Sequence, residues 1–346
     1  MLKKLFAAFA AILVLICSMP ASAADCSAAS FAVVDVQTGD VLMAENESQR
    51  RSIASTTKLL TALIACESGK LDDLVNITFD MVNTEGSVVG FRENDSVSLR
   101  DIVVAMMLAS GNDAANAAAV YLGGSIEKFS DIMNKKAAAL GMLNSYFVTP
   151  SGLDEGGHCS TAGDMALLAC AAIKNPQLAE ISKMKSAQIT VSGKKVQLYN
   201  HNKLLNKKGF IGLKTGYTKK AGRCLVSAYQ NNGKLLVCVT LNDSNDWQDH
   251  VFLCSEAEKM LSEKQITGEL AVLTVGSSKS SVKVAYSGSV TVPNENLVTV
   301  QFYAKPFLYA PVKQGETVGK AVVKYKEKEI ASLPLTAQED VEYIDG

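Results

Sequence analysis

The stretch Ile53-Ala54-Ser55-Thr56-Thr57-Lys58 carries a hydroxyl and an amine three residues apart, directly ahead of the apolar run Leu59-Leu60-Thr61-Ala62-Leu63-Ile64-Ala65-Cys66. Leu59, Leu60, Leu63, Ile64 and Cys66 recur at steps of three and four, so the spacing predicts a helix from Ser55 to Glu67 with Ser52 or Ser55 as its N-cap. On such a helix, positions i and i+3 share a face with Cβ atoms ~5–6 Å apart, which brings the Lys58 amine to the Ser55 hydroxyl. A serine becomes a nucleophile when a base lies within hydrogen-bond reach, and the helix N-terminus favours the negative charge that then develops. The spacing alone is weak evidence, because Ser125/Lys128, Ser182/Lys185, Ser192/Lys195 and Ser280/Lys283 repeat it.

Further along, Ser110-Gly111-Asn112 and Lys214-Thr215-Gly216 follow in that order, and neither pattern recurs in the chain. The surrounding elements read as strands, then helices, then strands. An opening hairpin is expected at Phe31–Val36 and Val41–Ala44 around Thr38-Gly39-Asp40, followed after the first helix by a polar, strand-poor stretch to Leu99. Helices are expected at Ile102–Leu108, at Ala114–Tyr121 capped by Asn112 and Asp113, at Glu127–Leu140 and at Ala162–Ile173. Strands return at Ile211–Thr215, Cys224–Tyr229 and Leu235–Leu241, the last two joined by the hairpin signal Asn232-Gly233, before a helix from Gln248 to Leu261. Without a βαβ rhythm this order predicts an α+β fold with a mainly antiparallel sheet. Beyond Ile266 short runs of Val, Thr, Ser and Gly suggest a small β domain without recognisable chemistry of its own.

The 346 residues are 48% hydrophobic and 20% charged, with 34 basic against 35 acidic side chains, so disorder, collagen and coiled coil are poor descriptions. A net charge of −1 gives no general electrostatic reason to expect nucleic acid or an anionic membrane as partner. Lys3-Lys4, the thirteen apolar residues Leu5–Cys17 and Ala21-Ser22-Ala23 read as a secretory signal peptide over residues 1–23, which places the protein outside the cytoplasm. That stretch is shorter than the ~20 residues a spanning helix needs. Export permits disulfides, yet seven cysteines remain after residue 23, an odd number, mostly in apolar settings that suit buried small hydrophobes. The chain has no Cys-x-x-Cys pair and three histidines, so neither a metal nor an organic cofactor is expected.

On Ile53–Lys58, Ser110–Ala115, His158-Cys159-Ser160-Thr161-Ala162 before Asp164-Met165-Ala166, and Gly212–Thr218, the chain resembles the D-alanyl-D-alanine carboxypeptidases among the low-molecular-mass penicillin-binding proteins. The likeness runs from about Ala32 to Leu261. It implies a penicillin-binding-protein and β-lactamase-like transpeptidase fold, with an antiparallel sheet flanked by helices, a helical subdomain and a small C-terminal β domain. The corresponding division is 1–23, 24–264 and 265–346. It also implies that Ser55 attacks the carbonyl between two terminal D-alanines of a peptidoglycan stem peptide while Lys58 takes its proton. Ser110 would pass a proton toward the leaving nitrogen, Asn112 would hold the peptide, and Lys214 with Thr215 and Gly216 would receive the terminal carboxylate. The oxyanion would lie between the backbone N–H groups of Ser55 and Tyr217. β-Lactam antibiotics would acylate Ser55.

A lysine is a base only when neutral, so Lys58 is expected to have a depressed pKa, from burial and from Lys214, whereas Lys214 is expected to stay charged. His158 and His201 are expected to be structural. A β-lactamase is the nearest rival reading, but Glu127, Glu155 and Glu180 are the only glutamates between Asn112 and Lys214, and none stands in a Glu-x-x-Leu-Asn setting. A silent wall-binding protein is the second rival, against which the intact motif residues argue. Thr149-Pro150-Ser151-Gly152 replaces the Asn-Pro-His-Gly of many relatives, a change expected to touch none of the catalytic groups. The acidic end Glu339–Gly346 is expected to be a poor membrane anchor, leaving attachment open.

Overall fold

The computed structural model describes residues 26–344, so the expected leader at 1–23 lies outside the described residues. The opening hairpin forms from β1 (Ser30–Asp35) and β2 (Val41–Glu45). Next comes a 3₁₀ turn, Ala54–Thr57, which passes into α1 (Lys58–Glu67). Neither Ser52 nor Ser55 caps this helix: no side chain does, and the tight 3₁₀ turn leaves the Ser55 hydroxyl free of the backbone. α1 is also buried on nearly all sides, from Lys58 to Cys66, as expected for a helix at the centre of a core rather than on its surface.

The stretch read as strand-poor holds β3 (Leu74–Asn76), the one-turn helix α2 (Phe79–Val82) and β4 (Ser96–Ser98). α3 (Leu99–Leu108), α4 (Asn112–Gly123), α5 (Ile126–Ala139) and α6 (Ala162–Lys174) follow close to the expected positions. The sequence reading missed α7 (Pro176–Lys183) and the hairpin of β5 (Ser186–Val191) and β6 (Lys194–Tyr199). These two strands join β3 and β4 in a small antiparallel sheet beside the helices, in the order β3-β4-β5-β6. α3 to α5 pack around α1 to complete this helical part.

The strand expected at Ile211–Thr215 begins later, as β7 (Thr215–Thr218). β8 (Gly222–Asn231) and β9 (Lys234–Leu241) are joined through Asn232 and Gly233, both at positive φ (49° and 76°), as a type I′ turn requires. α8 (Asp246–Lys259) then lies across the sheet, whose strand order is β2-β1-β9-β8-β7. Alternation divides the strands between two cores. Ala32, Val34, Val226, Val237 and Val239 face the helices, while Phe31, Val33, Leu225, Leu236 and Cys238 face Leu253, Cys254 and Ala257 of α8. β7 is left at the open edge.

A second sheet is built from β10 (Ser262–Val275), β11 (Ser281–Val292), β12 (Val298–Ala304), β13 (Phe307–Tyr309), β14 (Thr317–Tyr325) and β15 (Lys328–Ala337), ordered β12-β14-β15-β11-β10-β13. It touches the first sheet at the turn between β1 and β2: Tyr325 and Lys326 bond the Asp40 carboxylate (2.8 and 2.7 Å), and Gln37 donates to the Ile330 carbonyl (3.1 Å). All seven cysteines among the described residues are free. Four are buried, and burial pushes the Cys66 and Cys224 thiols up to about 12, which leaves them unreactive.

Asp113 is not the helix cap expected of it. Gly111 occupies the N-cap position of α4, and the buried Asp113 carboxylate accepts from the N–H groups of Val89 (3.0 Å), Gly90 (2.8 Å) and Phe91 (3.2 Å), tying a loop to the helix. Losing that acceptor leaves three loop N–H groups, that of the buried Phe91 among them, without their partner, so Asp113→Ala is expected to lower unfolding stability by about 2 kcal/mol. Urea denaturation measures this, and an unchanged midpoint would contradict the assignment.

Candidate active site

Three motif segments meet along the open edge of β7. Gly216 lies against the 3₁₀ turn so closely that a Cβ there would stand 2.9 Å from the Thr56 nitrogen and 3.0 Å from that of Ser55. Only glycine permits this approach. Lys214 exchanges both backbone hydrogen bonds with Val226, so by the period of two Gly216 and Thr218 also turn toward β8. The N–H groups of Thr215 and Tyr217 therefore point outward from the edge, toward the turn that bears Ser55. Ser55, Ser110, Thr215, Gly216 and Tyr217 line one cavity of about 490 Å³.

Lys58 lies beneath that cavity and is completely buried. Its Nζ is 2.9 Å from Ser55 Oγ, 2.6 Å from Asn112 Oδ1 and 2.7 Å from the Ser151 carbonyl oxygen. The Asn112 amide is oriented by its other end, which donates to the Glu85 carbonyl (2.6 Å). Burial, and secondarily the Lys214 charge, hold Lys58 well below the ordinary lysine value. A neutral amine has two N–H groups and one lone pair. Asn112 Oδ1 and the Ser151 carbonyl can only accept, so both N–H groups go to them and the lone pair faces the Ser55 hydroxyl.

The loop at Thr149–Gly152 thus touches Lys58 and the turn that bears Ser55, although its departure from the relatives was expected to touch none of the proposed catalytic groups. Besides the Ser151 carbonyl on Lys58, the Pro150 carbonyl accepts from Thr61 (2.8 Å). At Gly152 (φ +85°) a Cβ would come within 1.9 Å of the Ala54 carbonyl oxygen. These contacts use backbone atoms, which is why replacing the Asn-Pro-His-Gly side chains leaves them available. His158 holds the same loop: its Nδ1 accepts from the N–H of Val148 (3.0 Å), so Nε2 carries the proton and donates to Thr57 Oγ1 (2.8 Å). Burial pushes it down to about 4, a neutral structural histidine as expected.

Lys214 departs from expectation. It is 1% exposed, and its Nζ donates only to the Thr215 carbonyl (3.0 Å) among the described residues. Without an anionic partner, burial pushes its pKa down to about 7, so near neutral pH it is not a permanent cation. Five further residues that the motifs did not announce line the cavity: Ser87, His201, Arg223, Asp246 and Trp247. Ser87 belongs to the segment read as polar and strand-poor, and Arg223 and Trp247 meet only through the packing of α8 on the sheet. His201, expected to be structural, takes its place in the cavity wall, and burial and Lys214 lower its pKa.

Residues 18–245 match the model of the D-alanyl-D-alanine carboxypeptidase family, and residues 256–343 match the C-terminal domain of penicillin-binding protein 5. The chain belongs to the D-alanyl-D-alanine carboxypeptidase family. It is 32% identical to DacC of Escherichia coli over 345 residues, covering 91% of this chain and 84% of that protein, and 28% identical to DacF of Bacillus subtilis, covering 91% and 86%. The solved structure of DacD from Francisella tularensis superimposes with a TM-score of 0.65 at 27% identity, covering 92% of this chain and 94% of that one. Both the enzyme class, a serine peptide hydrolase, and the expected fold with its C-terminal β domain are thereby shown. The family works outside the cytoplasm, and no helix among the described residues is long and apolar enough to cross a membrane.

A buried amine with a lowered pKa costs folding stability. Between pH 7 and the ordinary lysine value of 10.5 the unfolded chain holds a proton at Lys214 that the folded chain lacks, so stability rises with pH across that window. Lys214→Met removes this cost. Its melting temperature at pH 7 is expected to exceed that of the wild type by a few degrees, with the gap closing toward pH 10. A variant that melts at or below the wild type across this range would refute the burial argument.

Proposed function

We propose that the chain removes the terminal D-alanine of peptidoglycan stem peptides through an acyl-enzyme on Ser55, with Lys58 as general base. The observation that carries this reading is the lone-pair argument: two acceptors occupy both N–H groups of neutral Lys58 and leave its lone pair aimed at Ser55 Oγ, 2.9 Å away.

Ser55 Oγ attacks the carbonyl between the two D-alanines as its proton passes to Lys58 Nζ. The oxyanion is received by the N–H groups of Ser55 and Tyr217, the latter on the unpaired edge of β7. Ser110, which lines the same cavity, hands its proton to the leaving nitrogen and takes up in its place the proton that Lys58 received, so the C–N bond breaks, D-alanine departs and Lys58 is a neutral amine again. A water molecule then attacks the ester and gives its proton to the Lys58 amine, and the C–O bond to Ser55 breaks with return of a proton to Oγ. Thr215 and Lys214 take the terminal carboxylate, and arrival of that anion restores the Lys214 charge that burial weakens. Asn112 holds Lys58 through Oδ1, with the second hydrogen of its amide nitrogen left for the peptide. β-Lactams enter by the same attack.

Export of the chain by a leader at 1–23, and its division into a catalytic unit at 24–264 and a β unit at 265–346, belong to the same proposal. Supporting the division are the two family matches and the separate sheet that begins with β10. The β-lactamase reading lacks its activating glutamate: Glu127, Glu155 and Glu180 are all exposed and none lines the cavity of Ser55, while the carboxylate that does, Asp246, is paired with Arg223.

Incubation with penicillin is expected to add one antibiotic mass to the intact protein and leave it there, while a peptide ending in D-Ala-D-Ala releases free D-alanine. Ser55→Ala is expected to abolish both. Lys58→Arg, which carries no lone pair at any accessible pH, is expected to slow acylation by ~10²–10⁴. D-alanine release by the Ser55→Ala variant would remove Ser55 as the nucleophile, and rapid release of the antibiotic would favour the β-lactamase reading.

A further inference from the structure

The core between the sheet and α8 holds thiols that the mechanism does not use. Cys238 on β9 and Cys254 on α8 are both completely buried there, with Cys26 packed against the same cluster. Cys66, Cys170 and Cys224 belong to the core on the other face of the sheet, and Cys159 lies in the loop before α6.

Contacts beside the thiols fix which residues of α8 and β9 face each other. His250 of α8 bridges the sheet, with Nδ1 2.6 Å from Ser227 Oγ and Nε2 3.0 Å from Thr240 Oγ1. Ser227 is the register partner of Cys238. Thr240 stands on the same face of β9 as Cys238, two residues or ~7 Å along the strand. Cys254 follows His250 by four residues, ~6 Å along the same side of α8. Helix and strand run in opposite senses, so these matched steps bring Cys254 over Cys238. The two thiols meet there, and burial, with the Cys254 thiol second, holds Cys238 well above the ordinary thiol range. Cys26 is engaged elsewhere: its Sγ lies 3.6 Å from Asp249 Oδ2, and burial pushes it up to about 12.

We infer that Cys238 and Cys254 form a disulfide that closes the loop Val239–Leu253 and ties α8 to the central strand of the first sheet. The oxidant is another disulfide, of the kind available outside the cytoplasm, where the family works. A Cys254 thiolate attacks that disulfide, one of its sulfurs leaves as a thiolate, and a mixed disulfide forms. The Cys238 thiolate then attacks the Cys254 sulfur and expels the second. Two protein thiols are thereby oxidised and one external disulfide is reduced to two thiols. In the folded chain neither sulfur reaches solvent, so the exchange belongs to the stage before α8 settles on the sheet, and burial afterwards shields the bond from reductants. The closed loop includes Asp246 and Trp247 of the cavity wall.

Trypsin provides the test, because Leu235–Lys259 holds both cysteines and no internal lysine or arginine. The full chain is unfolded, refolded with glutathione disulfide or with dithiothreitol, then alkylated under denaturing conditions and digested. After glutathione the peptide is expected to carry no alkyl group and to be lighter by two hydrogens; after dithiothreitol it is expected to carry two alkyl groups. The oxidised chain is expected to melt several degrees above the reduced one, as for a bridge closing a short loop. Cys254→Ala is expected to melt at one temperature in both buffers, a redox dependence that mere packing at this position does not produce. Free or glutathione-capped thiols on that peptide after oxidative refolding, a bond from either cysteine to Cys26, or equal melting of the oxidised and reduced chains would overturn the inference. These measurements stand apart from D-alanine release and from export, so failure of the functional reading leaves them intact.

Discussion

Everything at this site depends on keeping one lysine uncharged in a place where a charged one would be unpaired by any carboxylate. Lys58 is enclosed by α1, α4 and the loop at Thr149–Gly152, and the three oxygens within reach of its Nζ are a hydroxyl, an amide and a main-chain carbonyl. An adjacent carboxylate would restore the charge and take away the base. Asp113, the nearest candidate on α4, is instead occupied by the amides of Val89, Gly90 and Phe91. The rest of the catalytic half can be read as the means of holding that arrangement: Asn112 turned by the Glu85 carbonyl, Ser151 by a loop that His158 pins to Thr57, and Gly152 by a contact that admits no side chain.

Local strain accompanies each motif. Ala54 (φ +48°), Ser110 (φ +61°) and Leu213 (φ +81°) all have backbone conformations that L-residues other than glycine rarely adopt. One precedes the serine, one is the second serine and one precedes Lys214, and all three are buried. Conformations of this kind cost ~1–3 kcal/mol each and persist only where the surroundings enforce them. The helix and sheet cores on either side supply that enforcement, so the cavity is shaped before substrate arrives.

The motifs were legible because their chemistry demands particular side chains at short fixed spacing. The opening hairpin, the Asn232-Gly233 turn and the amphipathic α5 were legible because turn residues and apolar period agree there. β3 to β6 escaped notice because short strands with polar outward faces resemble loops. The contribution of Ser151 was invisible for a different reason: a carbonyl oxygen is common to all residues, so sequence carries no sign of it. The state of Lys214 depends on depth below the surface, and the partnership of Arg223 with Asp246 and Trp247 depends on which face of the sheet α8 covers. Neither is encoded in any local pattern.

The helix that grips Arg223 has a second end. α8 is followed by Met260 and Leu261 and then at once by β10, the strand on which the second sheet is built. A 14-residue helix of ~21 Å, whose first turn reaches the cavity wall, is thus joined through two residues to a 14-residue strand of ~47 Å. No flexible linker lies between them to absorb displacement. The β domain is therefore held to the first sheet at two places, through Met260 and Leu261 along the chain and through the contact of Tyr325 and Lys326 with Asp40.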